Sequence, residues 1–382
     1  MTESLSKPIR VLFVVARMPV GGAETFLISL LSRLDKNLIQ PFVFSLGSEG
    51  DPLYQKIPQD VFKYVRARKW RYDLSPCESI GSLIVSEKIQ TVVCSDYFTY
   101  FYIWNILRKQ KLNIRVIILL HVTKPRHLKE FLHGFIFARM LSGSEEILTT
   151  CENQRKFLSR IFMIPRKRFA EIMYNGVDTD YWTLPVDPKR KLDFRKQFGI
   201  PQNAVVIISV AGFRKEKRHD LMVKAFHELY LKSNREDIYL VFVGGGDKQI
   251  QDSARQLARQ YNLSGKIIFA GIQDDLRLMY WMADIFTLGS TSETFSIAAL
   301  EAMATGLPSV LTDIGGAREM VQTNTNGIVV EPYSSQALAS GWMKCIELLP
   351  SMDKSVIRQG IVDRFNLSDC IQNYNRYLSG SN

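Results

Sequence analysis

Residues 285–311 read IFTLGSTSETFSIAALEAMATGLPSVL, and this stretch gives the clearest indication of the fold. Its first four residues form a short apolar run, and a second such run covers residues 308–311. Between the two runs, Ser and Thr residues that can cap a helix precede small and apolar residues, and a Gly-Leu-Pro turn follows. A buried strand, a helix and a second buried strand form the repeating unit of parallel sheets that are covered on both faces.

The same alternation of short apolar runs and helical patterns extends over the whole chain. The runs lie, in the first half, at residues 11–15, 41–46, 91–94, 114–120 and 147–150, and in the second half at residues 205–210, 238–243, 267–270, 285–288, 308–311 and 327–330. The sequence therefore predicts an α/β fold with two doubly wound, Rossmann-like domains that face each other across a cleft. Ligands of such sheets bind at the carboxyl ends of the strands.

The two predicted domains are separated by residues 183–203, where three Pro residues and a run of charge interrupt the strand pattern. We predict a first domain over residues 1–182, a linker over residues 183–203 and a second domain over residues 204–365. Residues 366–382 remain as a C-terminal helical segment.

The composition is that of a globular protein, with 46% hydrophobic and 23% charged residues among 382. The five Cys residues are odd in number and contain no CxxC pair, which argues against a disulfide framework or structural zinc and favours the reducing cytoplasm. Residues 1–18 read as a first strand and not as a signal peptide. The apolar segment at residues 91–107 is too short to span a membrane, and Asp96 interrupts it.

The net charge of +11 lies mainly in the first half of the chain. Residues 1–180 hold 26 Lys and Arg against 17 Asp and Glu, a balance of +9. Together with the apolar segment 128–141, this favours peripheral contact with an anionic membrane surface. The alternative is that segment 128–141 is a core helix and the basic clusters are solvated. No zinc finger, helix-turn-helix or single-strand-binding motif supports nucleic acid as a partner.

A double glycine, Gly21-Gly22, follows the first strand and precedes an apolar helical segment. Glycines at such a turn allow backbone amides to approach a ligand closely and direct a helix N-terminus at an anion. A tight turn would need the same residues. The loop lacks the GxGxxG pattern, which disfavours a nicotinamide dehydrogenase.

A basic turn follows the strand at residues 205–210. Residues 211–220, AGFRKEKRHD, contain five basic side chains when His219 is counted. Arg214 and Lys217 at this position can neutralise a diphosphate, although a solvated charged turn would have the same composition.

Two carboxylates, Glu293 and Glu301, flank the start of the helix in the opening stretch. We predict that the free amides of this helix lie near Phe295, Ser296 and Ile297 and can hold phosphate oxygens. Eight helical steps separate the two carboxylates, so they are predicted to share one face and to line one elongated ligand, with one on a sugar and the other on a ribose.

Two further features are less specific. His121 follows the strand at residues 114–120, at the mouth of the predicted cleft. A lone His is usually structural, but at this position it could also have a function in the cleft. Asp178-Thr179-Asp180 resembles the DxD metal motif of one class of sugar transferases, but its position just before the linker favours a structural role.

These segments together resemble glycosyltransferase family 4, the retaining enzymes with the GT-B fold. The resemblance covers nearly the whole chain and rests on GGAE at 21–24, LLH at 119–121, NGVDTDYW at 175–182, EKRHD at 216–220, VGGGD at 243–247, ETFSIAALEAMATGLPSV at 293–310, GGAREMV at 315–321 and NGIVVEP at 326–332. The two glutamates with seven residues between them, followed by GLP, are its most specific part.

The resemblance implies a role for each candidate residue. Glu301 would bind the ribose of a nucleotide sugar, Glu293 the hydroxyls of its sugar, and the amides of Phe295, Ser296 and Ile297 its phosphates. Lys217 would pair with the diphosphate, the Gly21-Gly22 loop would close over it, and His121 would approach the transferred sugar. No cofactor and no metal are implied, and the C-terminal segment would cross back onto the first domain.

One position departs from the family pattern. The family often has Arg five residues before the lysine, where this chain has Gly212. Arg214, three residues before Lys217, can supply the missing charge.

The sequence thus predicts a cytoplasmic, membrane-associated retaining glycosyltransferase that uses a UDP- or GDP-sugar, acts on a glycan or lipid-linked acceptor and serves bacterial surface polysaccharide synthesis (lipopolysaccharide, capsule or exopolysaccharide). Two alternatives remain, a catalytically silent scaffold of the same fold and an enzyme with a small soluble acceptor.

Overall fold

The structure, a computed structural model, describes residues 7–70, 73–120, 128–185 and 187–380. The chain divides into two compact units. Unit 1 comprises Met1–Asn175 and Ser368–Asn382, and unit 2 comprises Gly176–Leu367. Within the described ranges, no helix combines the length and the apolar character needed to cross a bilayer.

Unit 1 is built on a parallel sheet in the order β3-β2-β1-β4-β5-β6-β7. Its strands are β1 (Ile9–Val15), β2 (Ile39–Ser45), β3 (Phe62–Val65), β4 (Thr91–Cys94), β5 (Arg115–Leu119), β6 (Glu146–Thr149) and β7 (Phe169–Ile172). Its first helices are α1 (Gly22–Arg33), α2 (Ser75–Ser86), α3 (Tyr97–Lys109), α4 (Leu128–Met140) and α5 (Glu152–Ile161).

Unit 2 has a second parallel sheet in the order β10-β9-β8-β11-β12-β13. Its strands are β8 (Val205–Val210), β9 (Ile238–Val243), β10 (Ile267–Gly271), β11 (Ile285–Leu288), β12 (Ser309–Thr312) and β13 (Gly327–Val330). Its helices are α6 (Pro188–Gln197), α7 (His219–Ser233), α8 (Lys248–Gln260), α9 (Leu276–Met282), α10 (Ile297–Ala304), α11 (Ala317–Met320), α12 (Ser335–Leu348) and α13 (Lys354–Phe365). Two parallel sheets with flanking helices confirm the predicted fold class.

The last helix, α14 (Leu367–Ser379), belongs almost entirely to unit 1. The side chain of Asn375 accepts a hydrogen bond from the Asp35 amide at 3.0 Å, and Arg115 donates to the carbonyl of Tyr377 at 2.8 Å. Tyr374 is buried against Phe26 of α1, with ring centroids 5.8 Å apart. The C-terminal segment therefore completes the packing of the unit in which the chain begins.

The segment predicted as a linker, residues 183–203, differs from that expectation because it contains α6. Arg195 of this helix is 2% exposed and bonds Asp284 at 2.6 Å and the carbonyl of Met282 at 2.8 Å. Since Arg195 of α6 is buried and paired inside unit 2, this segment is an integral part of that unit.

The strands β3 and β7 were not predicted. They are the two edges of the first sheet, and their sequences, FKYV and FAEI, each include a charged residue. An edge strand is covered less than a central one, so it does not need a continuous apolar run.

Candidate active site

The candidate site in unit 2 is built on two loops at the carboxyl edge of the sheet, after β8 and β9. The Phe213 amide donates to the carbonyl of Gly245 at 2.7 Å, and the Asp247 amide donates to the carbonyl of Phe213 at 2.9 Å. Gly246 has φ +138°, and a Cβ there would lie 2.7 Å from the backbone of Phe213. Glycine is required because only it allows this backbone conformation and this approach. The two loops are thereby joined next to the basic turn.

Lys217 and Glu293 form an ion pair between the turn after β8 and the loop before α10. Their side chains are 18% and 23% exposed, so the pair is partly shielded from water. The Thr291 amide donates to the carbonyl of Glu216 at 2.8 Å, which ties the same two loops through their backbones. The structure therefore brings together two residues that the sequence analysis assigned separately to the donor.

The basic turn carries less net charge than the sequence suggested. His219 is 1% exposed and stacks on Phe213 with centroids 4.0 Å apart. Burial lowers the pKa of His219 to about 4, with a further lowering by the charge of Lys217, so the imidazole is neutral near pH 7. Arg218 forms two hydrogen bonds of 2.9 Å with Asp220. Of the five basic side chains, His219 therefore adds no charge near pH 7, and the charge of Arg218 is already compensated.

Arg214 lies beside Gly212, the position where the family pattern has arginine. A Cβ placed on Gly212 would lie 3.7 Å from Nε of Arg214 and 3.5 Å from the carbonyl oxygen of Gly245, which are ordinary contact distances. The side chain of Arg214 therefore runs next to the space that a side chain at residue 212 would enter.

The helix α10 begins later than predicted. Its N-cap is Ser296, whose side chain accepts a hydrogen bond from the Ala299 amide at 3.3 Å. Of the three amides predicted at the helix start, that of Ile297 belongs to the first turn, while Phe295 and Ser296 precede the helix. Phe295 is 3% exposed and packs on Phe365 with centroids 5.1 Å apart.

The late start also corrects the relation predicted for the two glutamates. Glu301 is the fifth residue of α10, one turn inside it, and Glu293 lies outside the helix, so eight helical steps do not connect them. They have different partners within unit 2, since Glu293 pairs with Lys217 and Glu301 with Tyr280.

The Tyr280 hydroxyl donates to Oε2 of Glu301 at 2.9 Å. Burial raises the pKa of Glu301 to about 7, and the hydrogen bond from Tyr280, which favours the carboxylate, opposes that rise. Tyr280 is fully buried in α9 and meets Trp182 edge to face at 5.5 Å. The sequence analysis missed Tyr280, because nothing in the apolar run of α9 distinguishes a ligand of Glu301 from a core aromatic.

In unit 1, Gly21 is the N-cap of α1 and Gly22 its first residue. Gly21 is extended, with φ −163°, and its carbonyl accepts from the Thr25 amide at 2.9 Å. A helix N-terminus therefore follows β1, as the double glycine predicted. The roles implied for Gly21 and Gly22 toward a donor stay predictions, and His121 lies outside the described residues.

The motif Asp178-Thr179-Asp180 forms a local turn. Oδ1 of Asp178 accepts from the amides of Asp180 at 3.2 Å and Tyr181 at 3.1 Å. Thr179 is 4% exposed and bonds Asn366 at 2.9 Å. These contacts agree with the structural role predicted for the motif.

Comparison with known proteins places this site in context. The family model described as Glycosyltransferase Family 4 matches residues 20–181, and that described as Glycosyl transferases group 1 matches residues 190–360. An uncharacterized glycosyltransferase of Methanocaldococcus jannaschii is 26% identical over 270 residues, which are 67% of this chain and 65% of that protein. A GDP-mannose-dependent alpha-(1-6)-phosphatidylinositol monomannoside mannosyltransferase of Mycobacterium tuberculosis is 27% identical over 235 residues, 57% of this chain and 58% of that protein.

The crystal structure of Anabaena HepE in complex with UDP has the same fold. It aligns with a TM-score of 0.81 over 97% of this chain and 100% of its own, at 19% identity. The fold is that of the GT-B proteins. The chain spans less than two thirds of the length of the curated relatives named above.

Proposed function

Because the chain belongs to the glycosyltransferases, with a family 4 region followed by a group 1 region, we propose that it transfers a sugar from a nucleotide sugar to a hydroxyl group of an acceptor. The observation that carries this proposal is the Lys217–Glu293 ion pair at the carboxyl edge of the unit 2 sheet, on the turn that also carries Arg214. Ligands of parallel α/β sheets bind at this edge.

Each group at the site can meet one part of such a donor. The carboxylate of Glu301, fixed by Tyr280, accepts hydrogen bonds from the two ribose hydroxyls. Lys217 and Arg214 bind the diphosphate, together with the Ile297 amide in the first turn of α10. Glu293, held by Lys217, accepts from hydroxyls of the sugar. A UDP- or GDP-sugar satisfies this set, and HepE was solved with UDP.

In the proposed reaction, the bond between the anomeric carbon and the diphosphate breaks, and a bond from that carbon to the acceptor oxygen forms. The proton of the acceptor hydroxyl group moves to the diphosphate oxygen that departs. Lys217 and Arg214 stabilise the negative charge that develops on the leaving group, without a metal. The acceptor attacks on the face that the leaving group vacates, so the anomeric configuration is retained. An inverted product, seen by NMR of its anomeric proton, or a loss of activity in EDTA would contradict these two features.

For the acceptor, we propose a lipid-linked glycan at the surface of the cytoplasmic membrane, in the synthesis of a bacterial surface polysaccharide. Support comes from an apolar face on α4, which we call the α4 face. It consists of Leu128, Leu132 and Ile136, spaced four residues apart and 74%, 53% and 56% exposed. Residues at this spacing lie on one side of a helix.

The other side of α4 packs on Phe162, so the helix is anchored although one of its faces is exposed. Phe131 and Phe135 meet Phe162 with ring centroids 5.6 and 5.2 Å apart. Directly after Phe162, Met163 is 71% exposed. Met163 thus adds an exposed apolar side chain directly after the residue on which α4 packs.

Exposed cations lie close in the sequence to these apolar side chains. They are Arg139 at the end of α4, Arg160 at the end of α5, and Arg166 and Lys167 in the next turn. Exposed apolar side chains together with cations suit an anionic lipid leaflet, where each cation contributes about 1 kcal/mol.

A thermal-shift panel of UDP-, GDP- and ADP-sugars, with the wild type and Glu301→Ala, tests the donor proposal. A ligand that binds the native state raises the melting temperature. We expect one donor to stabilise the wild type and to lose its effect in Glu301→Ala. If no donor acts, the scaffold alternative is favoured. Activity on a water-soluble glycoside equal to that on its lipid-linked form would favour the soluble-acceptor alternative.

A further inference from the structure

A pocket of about 430 Å³ opens in unit 1 where β1, β2 and β3 end. Its walls include Arg17 after β1, Gly47 and Ser48 after β2, and Arg68 and Trp70 after β3. Pockets that hold a small molecule usually measure roughly 300–1,000 Å³ and combine an aromatic wall with a few polar groups. None of the residues that line this pocket was assigned a role toward the donor above.

The first cation of the pocket is fixed by a buried carboxylate. Asp51 is 3% exposed, and its Oδ1 lies 2.9 Å from Nη2 of Arg17. Burial alone would raise the pKa of Asp51, but hydrogen bonds from Arg17 and from the amides of Met18 and Ser48 hold it below its usual value. Arg17 therefore faces the pocket with a fixed orientation, and 64% of its side chain stays exposed.

Gly47 makes this arrangement possible. A Cβ on Gly47 would lie 3.2 Å from both Cα and Cγ of Arg17, closer than most side chains tolerate. With glycine at this position, the loop after β2 passes directly beside Arg17 and forms the floor between it and the loop after β3.

The second cation, Arg68, lies over an aromatic ring. Its guanidinium carbon is 4.4 Å from the centroid of Phe98, and its Nε is 3.5 Å from the carbonyl oxygen of Leu46. Within the described ranges, no carboxylate oxygen lies within 4.0 Å of its guanidinium nitrogens. A planar guanidinium held in this way can offer paired N–H groups to a phosphate or carboxylate.

The third feature is an exposed indole. Trp70 is 62% exposed although it lines the pocket. The residue before it, Lys69, donates its amide to Asp73 at 2.8 Å, and Asp73, which is 6% exposed, also accepts from the Ser75 amide at 2.9 Å. An exposed indole offers apolar surface against which the C–H face of a sugar ring can pack.

We propose that this pocket is an acceptor subsite for an anionic sugar. The sugar ring packs on Trp70, and its phosphate or carboxylate substituent is held by Arg17 and Arg68. The inference rests on the proposed function and deepens it, because it gives the chemical class of the acceptor.

The experiment is a titration followed by ¹⁹F NMR of the full-length protein labelled with 5-fluorotryptophan. The chain has 5 Trp residues, and Trp70→Phe assigns the resonance of Trp70. Glucose 6-phosphate, glucuronate and glucose are compared at constant ionic strength, so that general screening stays the same. Arg68→Gln is the test variant. Arg66→Gln is its control, because Arg66 is an exposed cation after the same strand that does not line the pocket.

We expect an anionic sugar to shift the Trp70 resonance and glucose to bind at least about tenfold more weakly. Arg68→Gln should weaken binding of the anionic sugar about tenfold, and Arg66→Gln by less than about twofold. A response to glucose 6-phosphate alone would identify a phosphorylated acceptor, and a response to glucuronate alone an acidic sugar. Arg17→Gln is avoided, because it would leave the buried Asp51 without its cation.

The proposal is overturned if neither anionic sugar shifts the Trp70 resonance, if glucose binds equally well, or if the two arginine variants behave alike. The thermal shift by the nucleotide sugar is recorded on the same samples. A lost donor shift with an intact Trp70 response counts against the proposed function alone, and the reverse result counts against the acceptor subsite alone.

Discussion

Lys217 and Glu293 lie 76 residues apart in the sequence and form an ion pair in unit 2. Each residue was assigned a different part of the donor, the diphosphate for Lys217 and the sugar for Glu293. An ammonium group has three N–H donors, so Lys217 can keep Glu293 as a partner and still donate to a phosphate oxygen. The pair therefore links the position of the sugar-binding carboxylate to that of the phosphate-binding cation.

Replacement of Lys217 by Met should lower kcat by about 100-fold or more, since it removes one fixed donor to the departing diphosphate. Steady-state kinetics with the donor found by the thermal-shift panel measure this. Lys215→Met is the matched control, because Lys215 is exposed in the same short 3-10 helix. An equal loss in Lys215→Met would show that general charge, and not the position of Lys217, supports the reaction.

Arginine at residue 212 should substitute for Arg214. The structure leaves ordinary contact distances around a Cβ at Gly212, and the side chain of Arg214 runs beside it. We expect Arg214→Gln to lower kcat/KM by about 30-fold or more, and the double variant with Gly212→Arg to regain most of the activity. Gly212→Ala controls for the backbone change. Without rescue by arginine at residue 212, the idea that Arg214 replaces the missing family residue would fail.

Glu301 should make the free protein less stable as the pH rises. Its pKa of about 7 in the folded state exceeds the unfolded value of 4.5, so the native state binds more protons between these values. The contribution of Glu301 is therefore most favourable at low pH and is lost as the pH rises through about 7. Relative to wild type, Glu301→Gln should gain up to about 2–3 kcal/mol in free energy of unfolding between pH 5 and pH 8. Urea titrations measure this gain.

The exposed Glu236 provides a matched control for that measurement, since Glu236→Gln removes a charge in the same unit without removing a buried one. A difference between Glu301→Gln and wild type that stays constant from pH 5 to pH 8 would mean that Glu301 titrates normally in the folded protein.

The affinity for the donor should rise with pH, because the same ionisation of Glu301 that destabilises the free protein favours donor binding. The carboxylate of Glu301, and not its acid form, can accept from both ribose hydroxyls. Between pH 6 and pH 8 its ionised fraction rises about tenfold for a pKa of about 7, so the Kd of a nucleotide sugar should fall by up to about tenfold. Calorimetric titration at each pH measures this Kd. A nucleotide sugar is a suitable ligand because its esterified phosphates do not titrate in this pH range. Tyr280→Phe should move the midpoint to higher pH, because Tyr280 favours the carboxylate. An affinity that is independent of pH would exclude Glu301 from the ribose site.

The central strands could be predicted from the sequence because both faces of a parallel sheet are covered. The apolar runs at residues 205–210, 238–243 and 285–288 coincide with β8, β9 and β11. The edge strands β3 and β7 escaped prediction because partial exposure permits Lys63 and Glu171 within them.

The sequence named candidate residues for the site but could not give their arrangement. The spacing of charged residues indicated Lys217 and Glu293 but not that they bind each other, since the contact depends on the positions of two separate loops. The start of α10 was placed too early because several Ser and Thr residues precede it, and only Ser296 acts as the cap. The role of Tyr280 could not be predicted, because a buried aromatic residue in an apolar helix gives the same sequence pattern whether or not its hydroxyl binds a carboxylate.

The α4 face should mediate binding to anionic membranes. Leu132→Asp places a charge at the centre of the exposed apolar side chains, where burial against lipid would cost several kcal/mol. We expect wild-type protein to co-sediment with liposomes that contain anionic lipid at low salt, and Leu132→Asp to remain largely in the supernatant. Leu231→Asp is the matched control, because Leu231 is 63% exposed on α7 in unit 2, compared with 53% for Leu132. Equal loss in both variants, or sedimentation of Leu132→Asp with the liposomes, would contradict a role for the α4 face and leave the basic charge of unit 1 as the source of binding.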